Sequence, residues 1–267
     1  MNRRLRIPRQ GFTLTELLMV LGLIALLASL LMPVIGKVRA AAHNAACLSN
    51  LRRMSVAWTM QLTENHGAFP DYVWHTRATP EVAWYGYWPG VVDKKGVGSE
   101  TLLCPAAREE SQSRDRQGFG SVSQAWSGKY VSNGSAVRLS DQVYRVSSYG
   151  YNRYLTAKGR FAPGGQVTSF STLNDASNVP LFMDCAYADV MPMSRGKSIS
   201  PEIPPNLTGE SLTDRSPEHW RFLLGRHGRG INVAMADGGA KWVRLDDTYT
   251  LRWTADWEPL RLRLPGN

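Results

Sequence analysis

The chain has 267 residues and a formal charge of +9, long enough for a membrane helix and one sizeable domain but not for two large independent cores. Four of the positive charges, Arg3, Arg4, Arg6 and Arg9, lie in the first eleven residues; the remaining charge of about +5 is that of a solvated surface rather than a polyanion site, and nucleic acid is not an expected partner. Three scattered cysteines, Cys47, Cys104 and Cys185, allow one disulfide in an oxidising compartment without choosing the pair, and they lack the closely spaced ligand pairs of a zinc motif.

Leu17 to Ile35 is a run of nineteen residues without a charge, about the 20 that a helix needs to cross the hydrocarbon core. The arginines before it place the N-terminus in the cytoplasm by the positive-inside bias, so everything after the helix is exported. Glu16 stands at the rim of this run. A carboxylate there is costly to insert and usually has a partner, yet the run offers no cation. Cutting the chain after Gly11 would create one, an α-amino group on Phe12, four residues away. A cleaved secretory signal would be shorter and end in small residues, and no A-x-A site closes this run. A plain signal anchor accounts for the helix and the arginines but not for the residues just before it.

Those residues, Gly11-Phe12-Thr13-Leu14-Thr15-Glu16 followed by an apolar helix, resemble the start of the type IV pilin and type II secretion pseudopilin class. The resemblance implies cleavage by a prepilin peptidase between Gly11 and Phe12, methylation of Phe12, and pairing of Glu16 with the Phe12 amine of a neighbouring subunit in the filament core. Pro33, the twenty-second residue of the cut chain, fits the same pattern and is expected to kink the helix.

Beyond Pro33 the helical period continues through Val34, Val38, Ala41, Ala45, Leu48, Leu51, Met54, Trp58 and Leu62. One helix of about 50 residues and about 80 Å is therefore expected from Phe12 to near Glu64, closed by Gly67 in a left-handed cap. Residues 68–135 read as loops and short elements. Trp74, Trp84, Tyr85, Tyr87 and Trp88 could stack glycans, although pinning an irregular loop to the core is the plainer use of such residues. Leu102-Leu103-Cys104-Pro105 reads as a short buried piece ended by proline, and residues 108–121 as an exposed loop. Strands are expected from Val143 onward and over Val179–Asp184, with a long surface loop over 188–218. The clearest hairpin pairs 231–236 with 240–245 through Asp237-Gly238-Gly239, whose Asp-Gly dipeptide suits the positive φ angles of a tight turn. The tail gives no firm assignment.

His227, nine intervening residues and then Asp237-Gly238 resemble the H-X9-DG signature of a bacterial pilin-like subfamily, in company with Cys47-Leu48-Ser49-Asn50-Leu51, Phe69-Pro70, Cys104-Pro105, Ser148-Tyr149-Gly150-Tyr151-Asn152 and Asp184. The signature's biochemical meaning does not come with the resemblance. A nine-residue strand separates its ends by up to about 30 Å, so His227 and Asp237 are not expected to touch. Asp237 reads as a turn former, and His227 as a partner for a neighbouring loop, including the one after Asp184. No nucleophile, HExxH or carboxylate cluster accompanies the pair, so neither catalysis nor metal binding is expected of it. Some related pseudopilins hold calcium with loop carboxylates. Asp184, Asp189 and Asp237 are the corresponding candidates, without EF-hand spacing.

The expected fold is α+β: a leader over 1–11, a transmembrane and assembly helix over 12–35, and a periplasmic pilin-like domain over 36–267 that includes the second half of the helix and a C-terminal antiparallel sheet. The expected function is structural, with no enzymatic activity and no cofactor. Its partners would be the prepilin peptidase, the inner membrane and other pilin or pseudopilin subunits, in a type IV pilus or a type II secretion pseudopilus. The alternatives are a membrane-anchored periplasmic glycan- or ligand-binding protein and an anchored hydrolase built on His227.

Overall fold

The computed structural model describes residues 13–71, 88–110, 118–128, 131–132, 135–136, 145–157, 165–192, 201–213 and 215–266; Gly11, Phe12, Trp74, Trp84, Tyr85 and Tyr87 lie outside them. The chain divides into two units, Met1–Ala42 and His43–Asn267. Helix α1, Leu14–Glu64, belongs to both.

Thr13 starts the helix with a reciprocal cap: its Oγ1 lies 3.3 Å from the Glu16 N–H, and the Glu16 carboxylate accepts the Thr13 N–H at 2.8 Å. This satisfies two donors that a helix start leaves open. In the first unit every described residue, Thr13–Ala42, is exposed, and the helix is long and apolar enough to cross a membrane. Pro33 lies inside α1 without ending it.

In the second unit one face of α1 is buried, through Cys47, Leu51, Met54, Trp58 and Leu62. These residues follow at steps of four and three, the spacing of one helical face. The predicted stripe is off by one position at its start. Cys47, not Leu48, begins the buried face, while Val38 and Ala45 are exposed. The helix ends in a Schellman arrangement, with the Gly67 N–H on Leu62 O at 2.7 Å and the His66 N–H on Thr63 O. The first left-handed residue is therefore His66 (φ 52°), and Gly67 (φ 80°) follows it, so the stop is shared between them.

A short helix α2, Trp88–Lys94, comes next among the described residues, followed there by the strands β1 Glu109–Glu110, β2 Gln124–Gly128, β3 Val131–Ser132, β4 Ser135–Ala136, β5 Arg145–Ser147, β6 Tyr149–Asn152, β7 Pro180–Asp184, β8 Asp189–Val190, β9 Gly230–Met235 and β10 Ala240–Arg244. The main sheet has the order β10-β9-β7-β6-β8, and β1-β2-β5 and β3-β4 form two small ladders. Neighbours in the main sheet are antiparallel except β6 and β8, which are parallel. To reach that position the chain after β7 passes tightly over Gly150, where a β-carbon would sit 2.6 Å from Tyr187 O and 2.8 Å from Cys185 Cβ. That crossing explains the glycine between Tyr149 and Tyr151.

Strands β6, β7 and β9 are buried along their whole length. Two layers cover them. Tyr151 and Phe182 are register partners and meet Trp58 of α1 at ring-centroid distances of 4.9 and 5.4 Å. On the other side of β6, Asn152 donates to the carbonyls of Pro180 and Trp253, and Trp253 stacks on Phe222 at 4.8 Å. The tail is thus core: Trp253, Trp257, Leu262 and Leu264 are buried. The stretch read as a surface loop from 188 begins buried too, as β8, with the Asp189 carboxylate facing Arg221 (3.1 Å) and Arg153 (3.6 Å) while burial raises its carboxyl to about 7.

The β9–β10 connection runs through Asp237-Gly238-Gly239, with one residue of the Asp-Gly pair, Gly238, in the left-handed region. The Gly238 N–H reaches Met235 O and the Met235 N–H reaches Gly239 O. Gly238 has φ 92°, whereas Asp237 is not in the left-handed region. Asp237 serves the turn as expected, accepting the Gly239 N–H at 2.9 Å.

Candidate functional site

Four segments distant in the sequence bring thiol, carboxylate and imidazole groups together under the sheet end. Cys47 begins the buried face of α1, and Cys104 follows the 3-10 turn Ser99–Leu102. Asp184 is the last residue of β7, and His227 lies in the turn before β9. Their ligand atoms all lie within 4.8 Å of one another. Cys47 Sγ is 3.5 and 3.7 Å from the two Asp184 oxygens, Cys104 Sγ is 3.4 Å from His227 Nε2, and that nitrogen is 3.3 Å from Asp184 Oδ2.

Donors around the cluster hold it in place. Arg226, fully buried, donates to Asp184 Oδ1 at 3.2 Å and to the carbonyls of Ser148 (2.5 Å) and Ser121 (2.6 Å). The Asn232 N–H donates to Asp184 Oδ2 at 2.8 Å, and the Tyr149 hydroxyl reaches Cys47 Sγ at 3.3 Å. Asn232 also ties β9 to α1 through Asn44 Oδ1 at 2.7 Å. The Ser-Tyr-Gly-Tyr-Asn run therefore has a reason beyond strand formation, because its Ser148 carbonyl and Tyr149 hydroxyl line the centre.

Charge follows from these contacts. Burial pushes the Cys47 thiol well up, with Cys104 and Asp184 adding to the effect. Cys104 is brought down to about 6, chiefly by its hydrogen bond from Cys47, against burial and with help from His227 and Arg226. Burial opposes the charge on Asp184, but His227, Arg226 and the Asn232 N–H together hold its carboxyl below the usual value. Burial likewise opposes protonation of His227, and Asp184 and Cys104 outweigh it, raising the imidazole to about 9. Two anions thus face two cations in a dry site, where unpaired charge is expensive.

The arrangement is not a thiol-imidazole-carboxylate relay. Such a relay needs the nucleophile on one ring nitrogen and the acid on the other. Here Cys104 and Asp184 both face Nε2, so the four side chains point at one another rather than along a chain.

The structure sorts the predicted positions. His227 and Asp184 are joined, whereas Asp237 and Gly238 remain in the hairpin turn. Asp184, Asp189 and Asp237 share no cluster among the described residues, which removes the calcium grouping. Glu16 is partnered by Thr13. Trp88 is buried, its indole donating to Ala188 O at 2.6 Å, so it is core and not a stacking platform. The three cysteines are free and buried, and the argument from their wide spacing fails because the fold gathers two of them. The sequence carried two usable signals, a short apolar strand ending in an acid at Asp184 and a histidine, His227, suited to a loop beside it; nothing in it connects Cys47 with a residue 137 positions away. No family model, curated protein or solved structure matches the chain.

Proposed function

We propose that this chain is a pilin-like structural subunit. A prepilin peptidase removes its leader between Gly11 and Phe12, its helix is stored in the inner membrane with the domain in the periplasm, and the helix then enters a type IV pilus or a type II secretion pseudopilus. One observation carries this reading. Helix α1 carries a stretch, Leu14–Ala42, that is exposed and mostly apolar, while its later residues Cys47, Leu51, Met54, Trp58 and Leu62 are buried in the core of the sheet domain. A water-exposed helix of that composition is unstable without lipid or other helices around it. The Gly-Phe-Thr-Leu-Thr-Glu run at its start favours assembly over a permanent anchor. Glycan binding is the weaker reading, since Trp88 is committed to the core.

The test is the mass and N-terminal sequence of the protein recovered from cells with an active prepilin peptidase. A mature chain beginning at methylated Phe12 is expected, and Gly11→Val should leave it uncut by crowding the scissile bond. Recovery of full-length wild-type chain as the only stable species would overturn the reading.

A further inference from the structure

We infer that Cys47, Cys104, Asp184 and His227 form a structural zinc site that clamps α1 to the sheet. The inference is independent of filament assembly and rests on the geometry of these four side chains.

Tetrahedral zinc holds sulfur at about 2.3 Å, and nitrogen and oxygen at about 2.0–2.2 Å, which sets neighbouring ligand atoms about 3.3–3.4 Å apart for nitrogen and oxygen and about 3.5–3.6 Å apart for sulfur with either. The observed spacings are 3.3 Å from His227 Nε2 to Asp184 Oδ2, 3.4 Å from Cys104 Sγ to the same nitrogen, and 3.7 Å from Cys47 Sγ to the same oxygen. The use of one nitrogen by both Cys104 and Asp184, which defeats a catalytic relay, is what a shared central ion requires. Two thiols, an imidazole and a carboxylate with their ligand atoms all within 4.8 Å of one another suit zinc over the hard cations calcium and magnesium.

The surroundings fit as well. Asp184, the Cys47 sulfur and the remaining carboxylate oxygen each receive a donor from outside the four, namely the Asn232 N–H, the Tyr149 hydroxyl and Arg226. Such outer contacts orient metal ligands. The three anionic ligands are balanced by the dication together with Arg226, leaving no net charge in the buried site. All four positions are filled by protein, so the site is closed, the hallmark of a structural rather than a catalytic zinc. A disulfide between Cys47 and Cys104 is the competing chemistry. It would need the sulfurs about 2.05 Å apart and would leave Asp184, His227 and Arg226 without the two sulfur charges.

The experiment uses the full chain purified in detergent without chelators, after growth with zinc. Elemental analysis should give one zinc per chain, and intact mass under non-reducing conditions should show three free thiols. Replacing zinc by cobalt(II) should produce thiolate-to-cobalt charge transfer and intense tetrahedral d–d bands. Cys47→Ser and Cys104→Ser should each lower zinc retention at least tenfold, while Cys185→Ser keeps it. Because a ligand variant can fail to fold, the wild type decides alone: a reduced, folded chain that neither carries zinc nor takes it up from zinc chloride in competition with a chromophoric chelator overturns the inference. A chain two mass units light with Cys47 and Cys104 peptides joined, and no zinc, overturns it equally.

Discussion

Gly238 and Glu16 show how much one residue can be asked to do. At Gly238 nothing lies within 4 Å of a would-be β-carbon, yet φ is 92°. Any loss on substitution is therefore backbone strain and not a clash. Gly238→Val is expected to cost at least about 1–2 kcal/mol, read as a fall of several degrees in the melting temperature of the full chain in detergent. Gly238→Asn should lose less, because asparagine tolerates the left-handed region; equal losses would contradict the strain account. Glu16 has two separable properties, an acceptor oxygen that caps the helix with Thr13 and a negative charge. Glutamine keeps the first and loses the second, and a capping box accepts either residue. If the charge pairs with a neighbour's Phe12 amine, Glu16→Gln should insert normally but enter filaments as poorly as Glu16→Ala, measured by co-purification with sheared filaments or other pilin-like subunits at equal membrane levels. Wild-type incorporation of Glu16→Gln would reduce Glu16 to a cap.

Elements were legible in proportion to their length and to the locality of what holds them. Helix α1 could be read end to end because its period persists through Leu62, and the β9–β10 hairpin because its strands are adjacent. Strand β8 could not be read. It has two residues, pairs in parallel with β6, and its Asp189 meets Arg153 and Arg221 that arrive from elsewhere in the chain. The Thr13–Glu16 cap is local, a Thr-x-x-Glu pattern closed within one turn of the chain. The cysteine centre was out of reach, since Cys104 meets His227 across 123 positions and only the assembled sheet makes them neighbours. Trp58 is where α1 and the sheet depend on each other. Trp58→Ala should cost about 3–5 kcal/mol, seen as a large fall in melting temperature and rapid proteolysis of the domain. Membrane insertion should be unchanged, because the exposed apolar run is untouched; loss of insertion would refute this separation.

At the scale of the whole molecule, the C-terminus is held by charge. Asp246 accepts Arg229 at 3.0 and 3.1 Å and Arg244 at 2.9 Å, and Arg229 in turn donates to the carbonyls of Leu264 and Pro265. Arg229 first, then Arg244 and the Leu264 N–H, hold the Asp246 carboxyl below its usual value. An unfolded aspartate titrates near about 3.9. The stabilisation from Asp246 is therefore complete above that pH and is lost as the pH falls towards the lower folded value. Melting temperature should decline from about pH 4 to pH 2, and Asp246→Asn should lower it by a few degrees at neutral pH while flattening that decline. An unchanged acid profile in Asp246→Asn would assign the acid sensitivity to other carboxylates.

The buried face of α1 also has a mechanical meaning. Its attachments begin at Asn44 and Cys47 and run to Leu62, so the stretch from Cys47 to Leu62 covers about 22 Å along the helix axis. A pull along that axis loads these attachments in shear, many at once, instead of peeling them one after another. The cysteine centre is one of them, at the position where a metal bond would replace a set of weaker contacts. A helix held this way leaves its domain only when several of these attachments give way together.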